Sequence, residues 1–221
     1  MCGSLGINPN PQAVTTARHR ECGVFDREVA GDGIRTPGRL PVALVAAVTY
    51  RGWISREVGG SVRGDGDGWV IDSDGSRYWG RHGAAGLLLR APAPDGSVSV
   101  LLQHRAVWSH QGGTWGLPGG ARDSHESAID TAVREAQEEA GIGGDELRVL
   151  AAAVTLQSPS GWTYTTVIAE VDKPLATVAN FESAELRWVP EDAVAGLPLH
   201  PAFGQAWPSL RERIAALDHQ A

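Results

Sequence analysis

The sequence predicts an α/β protein in which a mixed sheet is packed between helices. Two observations point there. Three pairs of short β-type runs, each joined by turn residues, occupy residues 69–171, and two helical segments are interspersed with or follow them. At 221 residues the chain accommodates one domain plus an extension. With 42% hydrophobic and 20% charged residues, and no apolar run near the ~20 residues of a spanning helix, it reads as a globular chain without a membrane segment.

Residues 1–60 are rich in Gly, Pro and Arg, lack a sustained period of either kind, and contain one apolar stretch, Leu40 to Val48. That stretch has the length of a secretory h-region, but it begins some forty residues in and is followed by a weak cleavage site. We therefore expect 1–60 to be an extension outside the fold, poorly structured or appended by an upstream start, and 61–221 to be the domain. The first strand pair, Trp69–Asp72 and Ser76–Trp79, flanks Asp74-Gly75, a hairpin signal. Ala84–Arg90 and Val98–His104 flank a Pro-, Asp- and Gly-containing loop. Val149–Gln157 and Trp162–Val171 flank Ser158-Pro159-Ser160-Gly161, and Leu186–Val189 is a short further strand. Asp123 or Ser124 caps the first helix, with Glu126 in capping-box spacing from Asp123, and Gly141 ends it. The second helix is expected from Pro201 to Leu217, with Pro208 kinking or breaking it.

The formal charge of -7 is uneven: residues 1–60 carry a net +2 and residues 61–221 a net −9. Such a surface repels a phosphate-rich duplex, so nucleic acid is not an expected partner. Cys2 and Cys22 leave residues 23–221 without a thiol, which excludes a disulfide framework or thiolate zinc site there and suits a reducing cytoplasm. Oligomeric state is not legible.

The chemistry is concentrated in Gly120–Ile142, GARDSHESAIDTAVREAQEEAGI. At ~100° per residue, Glu135, Glu138 and Glu139 fall within an arc of about 100°. Ala132, Ala136, Ala140, Ile129 and Val133 form the apolar stripe beside it, so the carboxylates sit at the edge of a packed face. Like charges at these spacings each cost a helix ~0.2–0.5 kcal/mol. A solvated acidic face is one reading of them; an oxygen-rich site for Mg²⁺ or Mn²⁺ accounts for all three. Just ahead, Trp115-Gly116-Leu117-Pro118-Gly119-Gly120 reads as a loop whose diglycine permits φ > 0 and lets backbone carbonyls approach a ligand.

Gly120, Glu126, Arg134, Glu135, Ala136, Glu138, Glu139, Gly141 and Ile142 together resemble the Nudix box, with Ala136 smaller than the usual aliphatic. The similarity runs from about Arg63 to Leu217 and is closest to the MutT-like branch, which acts on 8-oxo-dGTP. The resemblance implies a Nudix α/β/α sandwich and metal-dependent hydrolysis of a nucleoside diphosphate derivative. It also implies Mg²⁺ (or Mn²⁺) bound by Glu135, Glu138, Glu139 and the Gly120 carbonyl, with Arg134 and Glu126 orienting them. The general base is then Glu139 or a late glutamate, Glu182 or Glu185.

MutT-type members read an oxidised purine partly through an Asn near the last helix, where this chain has His200. A neutral imidazole donates from one nitrogen and accepts at the other, unlike an amide that does both from one group. His200 serves equally well as a helix-capping residue. Trp115 and Tyr164 are candidates for stacking on a base. Pro159 sits near the position of a proline in relatives that cleave ADP-ribose or sugar nucleotides, an alternative substrate class. A non-catalytic nucleotide-binding regulator is the other alternative, although such proteins usually lose a box carboxylate and none is missing here.

Overall fold

Alternation along the central strands, rather than any single long apolar run, divides the interior into two cores. The computed structural model describes residues 48–49 and 64–219. Its strands are β1 (Val48–Thr49), β2 (Trp69–Ile71), β3 (Arg77–Trp79), β4 (Ala84–Pro92), β5 (Val98–Arg105), β6 (Trp115–Gly116), β7 (Gly119–Ala121), β8 (Arg148–Gln157), β9 (Thr163–Glu170) and β10 (Ser183–Pro190). The helices are α1 (Ala128–Ala140) and α2 (Pro201–Asp218). Cys2, Cys22 and the apolar stretch up to its last residue lie outside the described residues.

The main sheet runs β1-β8-β9-β4-β5-β10, with β6 paired to β5 and β7 to β4. It is mixed: β4 and β9 are parallel from Ala84↔Tyr164 to Arg90↔Glu170, and the other pairs are antiparallel. Leu87, Leu89 and Leu101 pack against Ala132, Val133, Ala136 and Ala140 of α1. Leu88, Val100 and Leu102 point the other way, against Phe203, Trp207, Leu210 and Ile214 of α2. A helix on each face of the sheet makes the expected α/β/α sandwich. The β2–β3 hairpin forms a separate small sheet, docked by stacking of Tyr78 on Trp162 at 4.8 Å. Val48 and Thr49 add an edge to the main sheet by pairing with Val149 and Arg148.

Three local expectations are corrected. The N-cap of α1 is Ser127, in a capping box with Asp130, not Asp123 or Ser124. Asp123 is engaged elsewhere, its carboxylate accepting from the Gly64 and Gly66 N–H groups, and Glu126 is drawn to Arg134. Pro208 lies inside one continuous helix rather than dividing it. The segment 115–120 is not all loop: β6 and β7 flank Leu117-Pro118. Gly141 does terminate α1, in the left-handed conformation at φ 71°.

Candidate active site

The diglycine works by close approach. Neither Gly119 nor Gly120 is among the glycines with positive φ. Instead Gly119 pairs with Gly86 and Gly120 with Ala85. A Cβ on Gly119 would lie 2.5 Å from the Ala85 carbonyl oxygen and from the Gly86 Cα, and one on Gly120 would lie 2.5 Å from Glu135 Oε1. The missing Gly119 side chain lets β7 lie close on β4, and the missing Gly120 side chain lets it run against the acidic edge of α1. In that position the Gly119 N–H donates to Glu139 Oε2 at 2.8 Å.

Arg134 holds the next layer. Its Nε and Nη2 donate to the two oxygens of Glu126 at 2.7 and 3.0 Å, Nη1 to Glu135 Oε1 at 2.7 Å, and Nη2 also to the Ala121 carbonyl at 2.9 Å. Glu138 lies 3.8 Å from the same guanidinium. Burial alone would lower the arginine's pKa, but hydrogen bonds to Glu126 and the charges of Glu135 and Glu126 carry it above the usual range. Burial would likewise raise Glu126; the Arg134 hydrogen bond outweighs it and holds that carboxyl below its ordinary value. Glu126 is further bound by the Thr131 hydroxyl at 2.9 Å. One guanidinium thus joins the loop before α1 to the helix face.

The box glutamates are not equivalent. Glu135 and Glu139 are 8% and 2% exposed, whereas the Glu138 side chain is 43% exposed. Burial, then the neighbouring Glu139, pushes Glu135 up to about 8. Burial pushes Glu139 up to about 7, against the Gly119 N–H, Gln103 and Arg105, with Glu182 adding repulsion. Among the described residues Glu139 Oε1 has no hydrogen-bond partner. Crowded carboxylates, an unsatisfied buried carboxyl oxygen and a backbone close enough to exclude any side chain are what a hard divalent cation would relieve. Glu135, Glu138, Glu139 and the Gly120 carbonyl are the residues whose oxygens would hold such an ion.

Beside the box a cleft is lined by Arg105, Gly119, Tyr164 and His200 together with apolar Leu117 and Phe203. His200 occupies the N-cap position of α2 but makes no side-chain cap bond. Its backbone N–H donates to the Trp115 carbonyl at 2.7 Å, which fixes the ring at the cleft wall. Trp115 is 5% exposed, stacked on His104 at 4.7 Å and overlain by Arg187 at 4.8 Å. Pro159 lies in the exposed β8–β9 turn and does not line the cleft. Glu182 and Glu185 diverge: Glu182 acts electrostatically on Glu139, and Glu185 is bound by Arg187 at 2.8 Å.

Sequence reasoning missed Arg105, Gln103, Thr155 and Thr166. Arg105 is 8% and Gln103 1% exposed, and the polar positions in the otherwise apolar run of β5 were the available signal. Thr155 and Thr166, whose hydroxyls are 2.9 Å apart, also line the cleft. A separate group, Asp65, Asp123 and His125, places ligand-type atoms within 4.8 Å of one another. Its carboxylates bind the N–H groups of Gly64, Gly66 and Ser124, which ties the 64–68 loop to the entry of α1.

Residues 80–212 match the NUDIX domain. The Mycobacterium tuberculosis protein named "Putative 8-oxo-dGTP diphosphatase 3" is 64% identical over 160 residues, covering 71% of this chain and 74% of that one. A Bifidobacterium longum nucleoside triphosphate pyrophosphatase/Nudix hydrolase fusion protein is 42% identical over 71% of this chain and 33% of its own length. The crystal structure of RenU, a Nudix hydrolase from M. smegmatis, superposes with a TM-score of 0.66 at 61% identity, covering 68% of this chain and 96% of that one.

Proposed function

The chain belongs to the Nudix hydrolase family, and from that premise we propose that it hydrolyses a MutT-type nucleoside triphosphate, with 8-oxo-dGTP the first choice, to the monophosphate and pyrophosphate. Nudix hydrolases act on phosphoric anhydrides of small-molecule nucleotides. The observation that carries this reading is the position of Gly119, which both lines the cleft and binds Glu139. A nucleoside in the cleft therefore has its polyphosphate directed at the box carboxylates. The name of the M. tuberculosis relative supports the choice of nucleotide.

In this reading Glu135, Glu138, Glu139 and the Gly120 carbonyl hold Mg²⁺ or Mn²⁺. When bound, the ion supplies neutralisation of polyphosphate charge and a lower pKa for a coordinated water. Arg134 keeps Glu135 in place through the Glu126 pair, and Arg105 offers a buried cation at the cleft wall. Water adds across the α–β anhydride, its oxygen joining the phosphorus it attacks while the bridging oxygen leaves with the other product. Glu182, whose charge adds to the rise at Glu139, is the base we assign to receive the water's proton, with Glu139 the alternative acceptor. His200 and Tyr164 face the base, within walls formed by Leu117, Phe203 and Ala206. We take residues 61–221 as the catalytic unit, with the family match inside it, and a cytoplasmic location as the one that a nucleotide-pool role calls for.

The test is a panel of 8-oxo-dGTP, unmodified dNTPs, ADP-ribose and dinucleoside polyphosphates with Mg²⁺, products resolved by chromatography. Pyrophosphate and a nucleoside monophosphate from the triphosphates are expected. AMP with ribose 5-phosphate as the dominant output would overturn the substrate assignment and leave the anhydride chemistry intact.

A further inference from the structure

The cleft beside the box has an apolar side and a hydroxyl-bearing side. Phe203 and Ala206 of α2 supply the first, while β8 and β9 bring the hydroxyls of Thr155, Tyr164 and Thr166 to the second. Tyr164 and Thr166 stand two residues apart on β9 and so share one face of the sheet. The half-buried Tyr164 is the longest of the three and reaches farthest toward the box.

Two missing side chains make room for it. Gly86 of β4 pairs with Thr166 of β9 and with Gly119 of β7. A Cβ on Gly86 would strike the Tyr164 hydroxyl oxygen, and one on Gly119 would lie 3.1 Å from the same atom. The phenol oxygen therefore rests over the Gly86–Gly119 pair, with its ring along the cleft wall. Gly119 is also the residue that lines the cleft and gives its N–H to Glu139. The Tyr164 hydroxyl thus stands at the seam between cleft and box.

A nucleotide is ordered base, sugar, phosphate. With the base in the cleft and the phosphates at the box, the sugar lies at that seam. The chemistry of the phenol agrees: it is neutral and both donates and accepts, as a sugar hydroxyl does, whereas a phosphate oxygen is charged, only accepts and is better matched by a cation such as Arg105. In a 2′-deoxynucleoside triphosphate the 3′-hydroxyl is the one free hydroxyl on the sugar. We propose that Tyr164 is a specificity-determining residue whose hydroxyl hydrogen-bonds the substrate's 3′-hydroxyl, in the space left by Gly86 and Gly119. The inference rests on the reading of the cleft as a nucleoside site and of the box as the polyphosphate site.

The test is a cycle of two enzymes and two substrates: pyrophosphate release by wild type and Tyr164→Phe from 8-oxo-dGTP and from its 3′-deoxy analogue, at saturating Mg²⁺. Removing either the phenol oxygen or the 3′-hydroxyl should lower kcat/KM by roughly 3- to 10-fold, the weight of one hydrogen bond. Removing the second after the first should cost little more, because the two groups act as a pair. A purely structural role would lower kcat/KM for both substrates by the same factor. That result, or an unchanged kcat/KM in Tyr164→Phe, overturns the proposal and leaves the triphosphate reading standing; a wild type that releases pyrophosphate from neither substrate overturns both. If Tyr164→Phe does not fold, the wild type decides alone: equal kcat/KM with and without the 3′-hydroxyl refutes the contact.

Discussion

Raising the pH of the metal-free protein from about 5 to about 7 should remove stability, because the folded state binds a proton that the unfolded chain releases. Free glutamates ionise near 4.3, whereas burial holds Glu139 up to about 7 and Glu135 up to about 8 in the folded chain. The sign follows from linkage: across this window the native state carries more protons than the unfolded state, so stability is complete at the acid end and lost as pH rises toward the folded values. Glu126 is shifted the opposite way, so its contribution is complete above the unfolded value and adds no slope in the window. Each pH unit over which one extra proton is retained corresponds to ~1.4 kcal/mol, so a single proton shared by the pair gives ~3 kcal/mol over two units. For a domain of this size that is a fall in Tm of about 6–12 °C. Scanning calorimetry in EDTA at the two pH values measures it, with Glu135→Gln/Glu139→Gln as the reference that should show a flatter dependence. Saturating Mg²⁺ at the higher pH should restore stability, by ~2.7 kcal/mol at one hundred times Kd. Equal slopes in wild type and double variant would refute the account of the two carboxylates as a buried, crowded pair.

Glu138→Gln should fold with an unchanged Tm, since its carboxylate is partly exposed and meets Arg134 at only 3.8 Å, yet lose nearly all pyrophosphate release; turnover equal to wild type would remove Glu138 from the metal set. Glu182→Gln should depress the rate and alter the pH–rate profile, whereas Glu185→Gln, which only releases Arg187, should leave both near wild type. Matching effects of those two substitutions would argue against Glu182 as the base. Gly119→Ala should destabilise by more than ~3 kcal/mol in urea unfolding, as its Cβ would meet backbone at 2.5 Å. Gly120→Ala should instead fold with weakened Mn²⁺ binding, because the atom it meets is the Glu135 carboxylate.

Much of this arrangement was legible in the residues. The three-glutamate face and the apolar stripe beside it follow from one helical period, and they reappear with Ala132, Val133, Ala136 and Ala140 in the core. Gly141 reads as a helix stop because few other residues adopt φ 71° without strain. The helix start did not read through, since a side-chain cap is a competition between partners: Asp123 is claimed by backbone N–H groups fifty-seven and fifty-nine residues away, and Ser127 takes its place. The same blindness to distant partners hid Gln103 and Arg105. Polar residues in the apolar run of β5 are a local hint, but which of them is buried is decided only when β10 is paired alongside.

The diglycine carries the argument between fold and chemistry. A glycine pair invites a conformational explanation, yet both residues lie in an extended strand, and what they supply is the absence of two Cβ atoms. That absence brings β7 within 2.8 Å of Glu139 and leaves the Gly120 backbone against Glu135. The closeness also denies the two carboxylates the water that would otherwise stabilise their charge, so burial is the largest cause of both raised values. The strain that destabilises the metal-free site is therefore the counterpart of its affinity: a cation entering there replaces hydration that the fold has already removed. A side chain at Gly119 would push β7 off β4, and one at Gly120 would displace the Glu135 carboxylate, so each would weaken the site from a different side.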